Sequence, residues 1–173
     1  KKLALAGFSI ITGGGPGIMQ AANKGAYEAL QEMGYKKKML RRRINSLGIG
    51  LTRLSTEERT NKYIHDIIIM EHFFARKWLL VRYAKGFVVF PGGFGTLDEL
   101  FEVVTLIQCE RMKKLPVILM GKEFWKPLEE HIYRRMLANG LISDDDVGII
   151  TAITDDVDEA YEIINSHCKK ANC

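Results

Sequence analysis

Two glycine-rich stretches, GGGPG at 13–17 and PGGFGTLDE at 91–99, carry the residue types and spacing that could do chemistry, together with Arg76 and the carboxylates Asp98, Glu99 and Glu102. Glycines let the backbone approach a ligand closely, and a helix that starts just after them adds unpaired N–H groups and a positive dipole end, so both stretches suit a phosphate. A carboxylate beside such a cradle is out of place for an anion but suits a sugar hydroxyl or a proton. An arginine at the same edge supplies a cation for a phosphate or an oxyanion.

Each feature also has a plainer explanation. GGGPG, with its candidate binding residues Gly14 and Gly15, can be no more than a tight turn. Thr96 and Glu99 form T-x-x-E, the capping-box spacing, in which Thr96 accepts from the N–H of Glu99 and the Glu99 side chain returns to the N–H of Thr96. Asp98 serves equally as a first-turn acid on the helix dipole. On a helix Arg76 has Phe73, Leu79 and Leu80 three and four positions away, so it projects along a largely apolar face. A charge buried there needs a partner; otherwise its head reaches out to solvent.

Several chemistries find no support in the pattern. GGGPG is neither GxGxxG nor GxxxxGK[ST], so dinucleotide and Walker fingerprints are both missing. His65, His72, His131 and His167 show no HExxH or paired-ligand spacing, no Ser or Cys sits in a GxSxG elbow, and no metal or other cofactor is expected. Cys109, Cys168 and Cys173 are too few and too scattered for a disulfide framework and read as reduced thiols of a cytoplasmic protein. The net charge of +4 owes much to the basic run KKKMLRRR at 36–43, which is mild basicity rather than a nucleic-acid signature; the run is either a solvated loop or, less favoured, a nucleic-acid or partner patch. No apolar run approaches a membrane span.

These residues need elements to position them. A chain of 173 residues fits one domain with a proper core. After Gly7, a short β-branched run meets GGGPG and then a helical pattern over 16–33 that opens on Pro16. Strands follow at 47–51 and 67–70, the second leading into an apolar helix over 72–85. A strand at 87–90 then feeds the second glycine loop and a helix over 96–112, and 117–120 is a further strand. A helix over 125–139, the strand IITAI and a last helix with acids at its start and lysines at its end complete the series. Alternating strands and helices predict an α/β fold, a doubly wound parallel sheet with helices on both faces. In such a sheet ligands bind beyond the carboxyl ends of the strands, where both glycine loops and Arg76 fall. The opening KKLALAG reads like the last turns of a helix stopped by Gly7, which suggests that the first strand and most of the first helix of such a fold are absent from this chain.

In this order and spacing, ITGGGPGIMQAANKGA, ARKWLL and FPGGFGTLDELFEVVTLIQ, followed by PVILMGKEFWKPL, resemble the LOG family of nucleoside 5′-monophosphate phosphoribohydrolases, proteins also labelled lysine decarboxylase. The resemblance implies a Rossmann-like fold, at least a homodimer, and metal-free hydrolysis of an N-glycosidic bond to a free base and ribose 5-phosphate. It puts the family's PGGxGTxxE on 91–99, the catalytic glutamate on Glu99 and the Arg-Lys pair on Arg76 and Lys77. A threonine further along the helix matches Thr105, and a glutamate upstream of the pair falls near Glu58. Under this reading Gly92, Gly93, Gly95 and Thr96 hold the 5′-phosphate of a purine nucleotide such as AMP or a cytokinin monophosphate. Glu99 then faces the ribose, where positive charge develops as the base departs. The alternative is a non-catalytic binding protein on the same scaffold, resembling molybdenum-cofactor carriers. An amino-acid decarboxylase is disfavoured, because no lysine, phosphate cup and acidic pyridine partner for pyridoxal phosphate can be identified. The helix over 72–85 is apolar around much of its circumference, which independently points to a homodimer.

Overall fold

The computed structural model describes residues 1–34, 46–52 and 60–171, so the basic run at 36–43, Glu58 and Cys173 lie outside the described residues. The chain divides into two compact units, Lys1–Tyr83 and Ala84–Cys173. Each is built on a three-stranded sheet, and all four pairings among the described strands are parallel. Parallel sheets flanked by helices are the α/β, Rossmann-like architecture that the alternating pattern predicts.

In the first unit, α1 (Lys2–Leu5) is a single short helix, and Gly7 follows it at φ 93, the left-handed backbone expected just past a helix end. Ala4 packs against Ala26 and Ala29 of α2 (Ile18–Glu32), with Ile10 beside them; the small side chains let the two helices approach closely. The second helix starts at Ile18 rather than at Pro16, because its N-cap Gly17 takes φ 69 and leaves Pro16 in the preceding turn. Its buried stripe is Asn23, Ala26, Ala29 and Leu30, three or four positions apart except at the adjacent last pair. The sheet runs β1 (Ile10–Thr12), β2 (Ser46–Leu51), β3 (Asp66–Met70), with Thr12 opposite Gly48 and Leu51 opposite Met70. The central β2 is buried from Ser46 through Ile49, as expected of a parallel strand covered on both faces. Then comes α3 (Phe73–Arg82), which carries Arg76 and Lys77.

In the second unit the order is β4 (Phe87–Val89), β5 (Val117–Met120), β6 (Ala152–Thr154). Every residue of β5 is buried, so its unbroken apolar run VILM fits a middle strand. Between β4 and β5 lies α4 (Phe94–Gln108), which buries Leu100, Val103 and Ile107 along one face. The helix expected over 125–139 is instead α5 (Lys122–His131) followed without a break by a π-helical turn, Ile132–Leu137. A short α6 (Asp144–Val147), not foreseen from the sequence, precedes β6; α7 (Val157–Ala171) closes the unit through Ala160, Ile164 and Cys168. No helix among the described residues is long and apolar enough to cross a membrane.

Candidate functional site

In the first unit the sequence puts a glycine at the end of β1, and the structure gives a reason for it. A Cβ on Gly13 would lie 2.2 Å from Nη2 of Arg76 and 3.0 Å from the sulfur of Met19. The Arg76 guanidinium therefore occupies the space that any side chain at 13 would need. Its Nε donates to the carbonyl of Ile49 in β2 at 2.9 Å, so the charge is anchored at the sheet edge instead of reaching away to solvent. Met19 reaches back over the same loop, its Cε 2.6 Å from where a Cβ on Gly15 would stand. Lys77, next to Arg76, sets its ammonium 5.9 Å from the centre of the Phe73 ring.

Beneath the loop is a polar network. Gly14, at φ 85, donates its N–H to Thr12 Oγ1 at 3.0 Å, and that hydroxyl donates to Asn23 Oδ1 at 2.7 Å. Asn23 Nδ2 donates to Ser46 Oγ, and Ser46 donates in turn to the carbonyl of Tyr63, each at 2.9 Å. From the other side the two hydrogens of Asn61 Nδ2 are shared among three acceptors, the carbonyls of Gly14 and Gly15 at 3.1 Å and Asn23 Oδ1 at 3.0 Å, while the Asn61 backbone N–H also donates to the carbonyl of Gly14. Asn23, Ser46 and Asn61 are all buried. Buried amides satisfied at this density hold a loop in one arrangement.

In the second unit the loop after β4 runs directly into α4. The N-cap is Gly93 and makes no side-chain cap bond; its carbonyl accepts from the N–H groups of Thr96 and Leu97 at 3.0 and 3.1 Å. Thr96 is the third residue of the helix, not its cap, so the capping-box arrangement of Thr96 and Glu99 does not form. Instead Thr96 folds over Gly92, where an added Cβ would stand 2.2 Å from Thr96 Oγ1. Gly93 and Gly95 differ: a Cβ at either meets nothing within 4 Å among the described residues, and neither has the left-handed backbone that demands glycine. Glu99 is half-buried one turn into α4, beside the buried Leu100. Thr105 is exposed on the same helix, and six positions place it about 120° around the axis from Glu99. Gly121, at φ 102 after β5, packs against the ring of Pro91, with an ideal Cβ 3.1 Å from Cγ.

The structure thus brings Arg76 onto the loop of Gly13, Gly14 and Gly15 in one unit, and gathers Gly92, Gly93, Gly95, Thr96 and Glu99 at the head of one helix in the other. Glu58 is outside the described residues. Sequence reasoning missed Asn23 and Asn61. Asn23 had a signal, a polar residue on the apolar stripe of α2; Asn61 had none, since asparagine is ordinary in a loop. Among the described residues no group of three or more His, Cys, Asp or Glu could hold a metal ion.

Known proteins resemble this chain over most of its length. The family profile described as "Possible lysine decarboxylase" matches residues 19–164, a span that contains Arg76 and the whole of the second glycine loop. The chain belongs to this family. It is 32% identical over 146 residues to the pyrimidine/purine nucleotide 5′-monophosphate nucleosidase of Escherichia coli K12, an alignment covering 80% of the chain and 30% of that protein. It is 26% identical over 146 residues to the cytokinin riboside 5′-monophosphate phosphoribohydrolase LOG of Oryza sativa subsp. japonica, covering 84% of the chain and 54% of the rice protein. With a phosphoribohydrolase of the same printed activity from Rhodococcoides fascians it shares 29% identity over 75 residues, 43% of the chain and 38% of the relative. The chain therefore spans about a third to a half of the length of these relatives.

Proposed function

We propose that this family member is a hydrolase that cleaves the N-glycosidic bond of a purine nucleoside 5′-monophosphate, AMP or a cytokinin riboside monophosphate, to the free base and ribose 5-phosphate. The observation that carries the reading is the pair Gly93 and Gly95. Neither backbone strain nor packing among the described residues demands glycine at these positions, yet both stand at the head of a 15-residue helix. Close approach of a ligand does demand it. The first N–H groups of α4, on Phe94 and Gly95, have no carbonyl of their own helix to bond, and with the dipole they suit the 5′-phosphate. Gly92 and Thr96 shape the turn that presents them.

Glu99, one turn further on, acts where charge develops. As the C1′–N bond breaks, its electron pair leaves with the base and the ribose becomes oxocarbenium-like. A carboxylate stabilises that centre, and water then supplies hydroxide to C1′ and a proton to the base. The failure of the capping box supports this role, because the plainer use of Glu99 as a capping acid is not made. Arg76 is read as the second catalytic residue, its cation offsetting local negative charge; Lys77, Thr105 and Glu58 are assigned to substrate binding on the family resemblance, and Gly14 and Gly15 on the reading of the first glycine loop. The 173 residues are read as one nucleotide-binding domain acting in the cytoplasm as a homodimer or higher oligomer, for which the exposed Phe73, Phe74 and Trp78 of α3 argue.

The test is incubation of the full-length protein with a panel of nucleoside 5′-monophosphates, followed by chromatography for free base, on the parent and on Glu99→Gln. Release of base by the parent and a loss of about a hundredfold or more in the variant is the expected result. If Glu99→Gln keeps more than about a tenth of parental turnover, the catalytic role of Glu99 is wrong.

A further inference from the structure

We infer that Asn61, braced by Asn23, is a positioning residue for the first glycine loop: it turns two loop carbonyls inward so that the loop meets the nucleotide with the Gly15 N–H rather than with lone pairs. The inference rests on the nucleotide-hydrolase reading above and adds to it residues that lie in neither glycine motif. A glycine-rich loop has no side chains to fix its peptides, and a peptide flipped the wrong way presents a carbonyl oxygen to an anion. Here both the side-chain amide and the backbone N–H of Asn61 hold the carbonyl of Gly14, and the same side chain holds that of Gly15. The peptides are planar and trans, so with the Gly14 oxygen turned toward Asn61 the N–H of Gly15 points away from it. Pro16 follows Gly15 and has no N–H to present, which leaves the Gly15 donor as the one this arrangement aims.

The orientation of the pair is dictated by its neighbours. Asn23 Oδ1 accepts from both the Thr12 hydroxyl and Asn61 Nδ2, and Asn61 Oδ1 accepts from the N–H of Tyr63 at 3.1 Å, so neither amide can flip without losing bonds. With Asn23 fully buried and Asn61 nearly so, water does not easily replace those bonds. Thr12 links the two halves, because its one hydroxyl accepts from Gly14 N–H and donates to Asn23. No residue of this loop is assigned to the bond that breaks, so on this reading its contact is the same in ground and transition states. Its loss raises KM and leaves kcat nearly alone.

Asn61→Asp keeps the shape and turns the donor into an acceptor facing two carbonyls. In steady-state hydrolysis of AMP it raises KM by about tenfold or more with kcat within about threefold, and weakens product inhibition by ribose 5-phosphate in the same proportion. Thr12→Val, nearly isosteric and without the hydroxyl, moves KM the same way, and Thr12→Ser restores it. A KM within about twofold of the parent in Asn61→Asp, or a fall in kcat alone, overturns the inference. If Asn61→Asp does not fold, the Thr12 pair decides by the same criteria. A parent that hydrolyses no nucleotide defeats the hydrolase reading instead. The loop's role is then read from amide hydrogen exchange at Gly14, about tenfold or more faster in Thr12→Val and Asn61→Asp if the network holds the loop and unchanged if it does not.

Discussion

Single atoms at two glycines separate packing from binding. Gly95 is helical and has open space where a Cβ would stand, so Gly95→Ala should raise stability by about 0.5–1 kcal/mol while the new methyl obstructs the ligand's approach. Thermal melts paired with base-release assays check it: a higher Tm with turnover down by about tenfold or more is expected. Were turnover untouched, the open space over α4 would have no ligand to admit. Gly13→Ala acts on the other unit, where the methyl would displace the flexible end of Arg76 rather than backbone. A small change in Tm with a large loss of turnover is expected, matching Arg76→Ala; an active Gly13→Ala would show that the guanidinium's seat is not needed. Glu99→Gln should leave the start of α4 intact, because the carbonyl of Gly93 and not Glu99 caps it.

Among the elements, what the sequence made legible and what it hid differ for physical reasons. The strand at 117–120 was plain because β5 is buried throughout and its apolar run has one use. The helix after the second glycine loop was also plain, but its start was not. Side-chain capping favours Thr96, whereas the carbonyl of Gly93 collects two N–H groups and starts the helix at Phe94. Arg76 and Glu99 could be singled out by their neighbours along the chain. Asn61 could not, because its partners at Gly14, Gly15 and Asn23 lie far away in sequence. The short α6 was missed although its start carries a local lock: Ser143 N–H and Oγ both donate to Asp146, at 2.7 and 2.8 Å. The Ser143 backbone bond is the main cause that holds the Asp146 carboxyl below its ordinary value of 3.8, with Gln108 and the Ser143 hydroxyl adding to it. A carboxyl depressed by folding contributes stability above its unfolded pKa and loses it as pH falls from there through the folded value. Asp146→Asn should therefore lower Tm at neutral pH, and the gap to the parent should start to close near pH 3.8 and vanish only as pH falls on through the lower folded value. A gap between the two that is constant with pH would remove the carboxylate from the account.

At the scale of the whole molecule, the apolar surface is the feature that calls for an assembly. Phe74 is 72% exposed and Trp78 55%, and Ile67, Ile68 and Ile69 of β3 are exposed as well. Light scattering at micromolar concentration should give a dimer or larger, and Phe74→Lys with Trp78→Lys should shift it toward the monomer; a parent that is already monomeric would dismiss the assembly. The parallel pairing of every described strand has a further consequence, in time. Neighbours in a parallel sheet cannot be joined by a tight hairpin, so Thr12 waits for Gly48, and Val89 for Leu119, until the intervening chain has crossed over. Distant contacts form late and slow the descent to the native state. Throughout that delay β3, at the end of its sheet among the described strands and with three isoleucines in a row, can be met by the same strand of another chain. Recovery from denaturant is thus a race between crossover and collision, won in dilute solution and lost in concentrated solution.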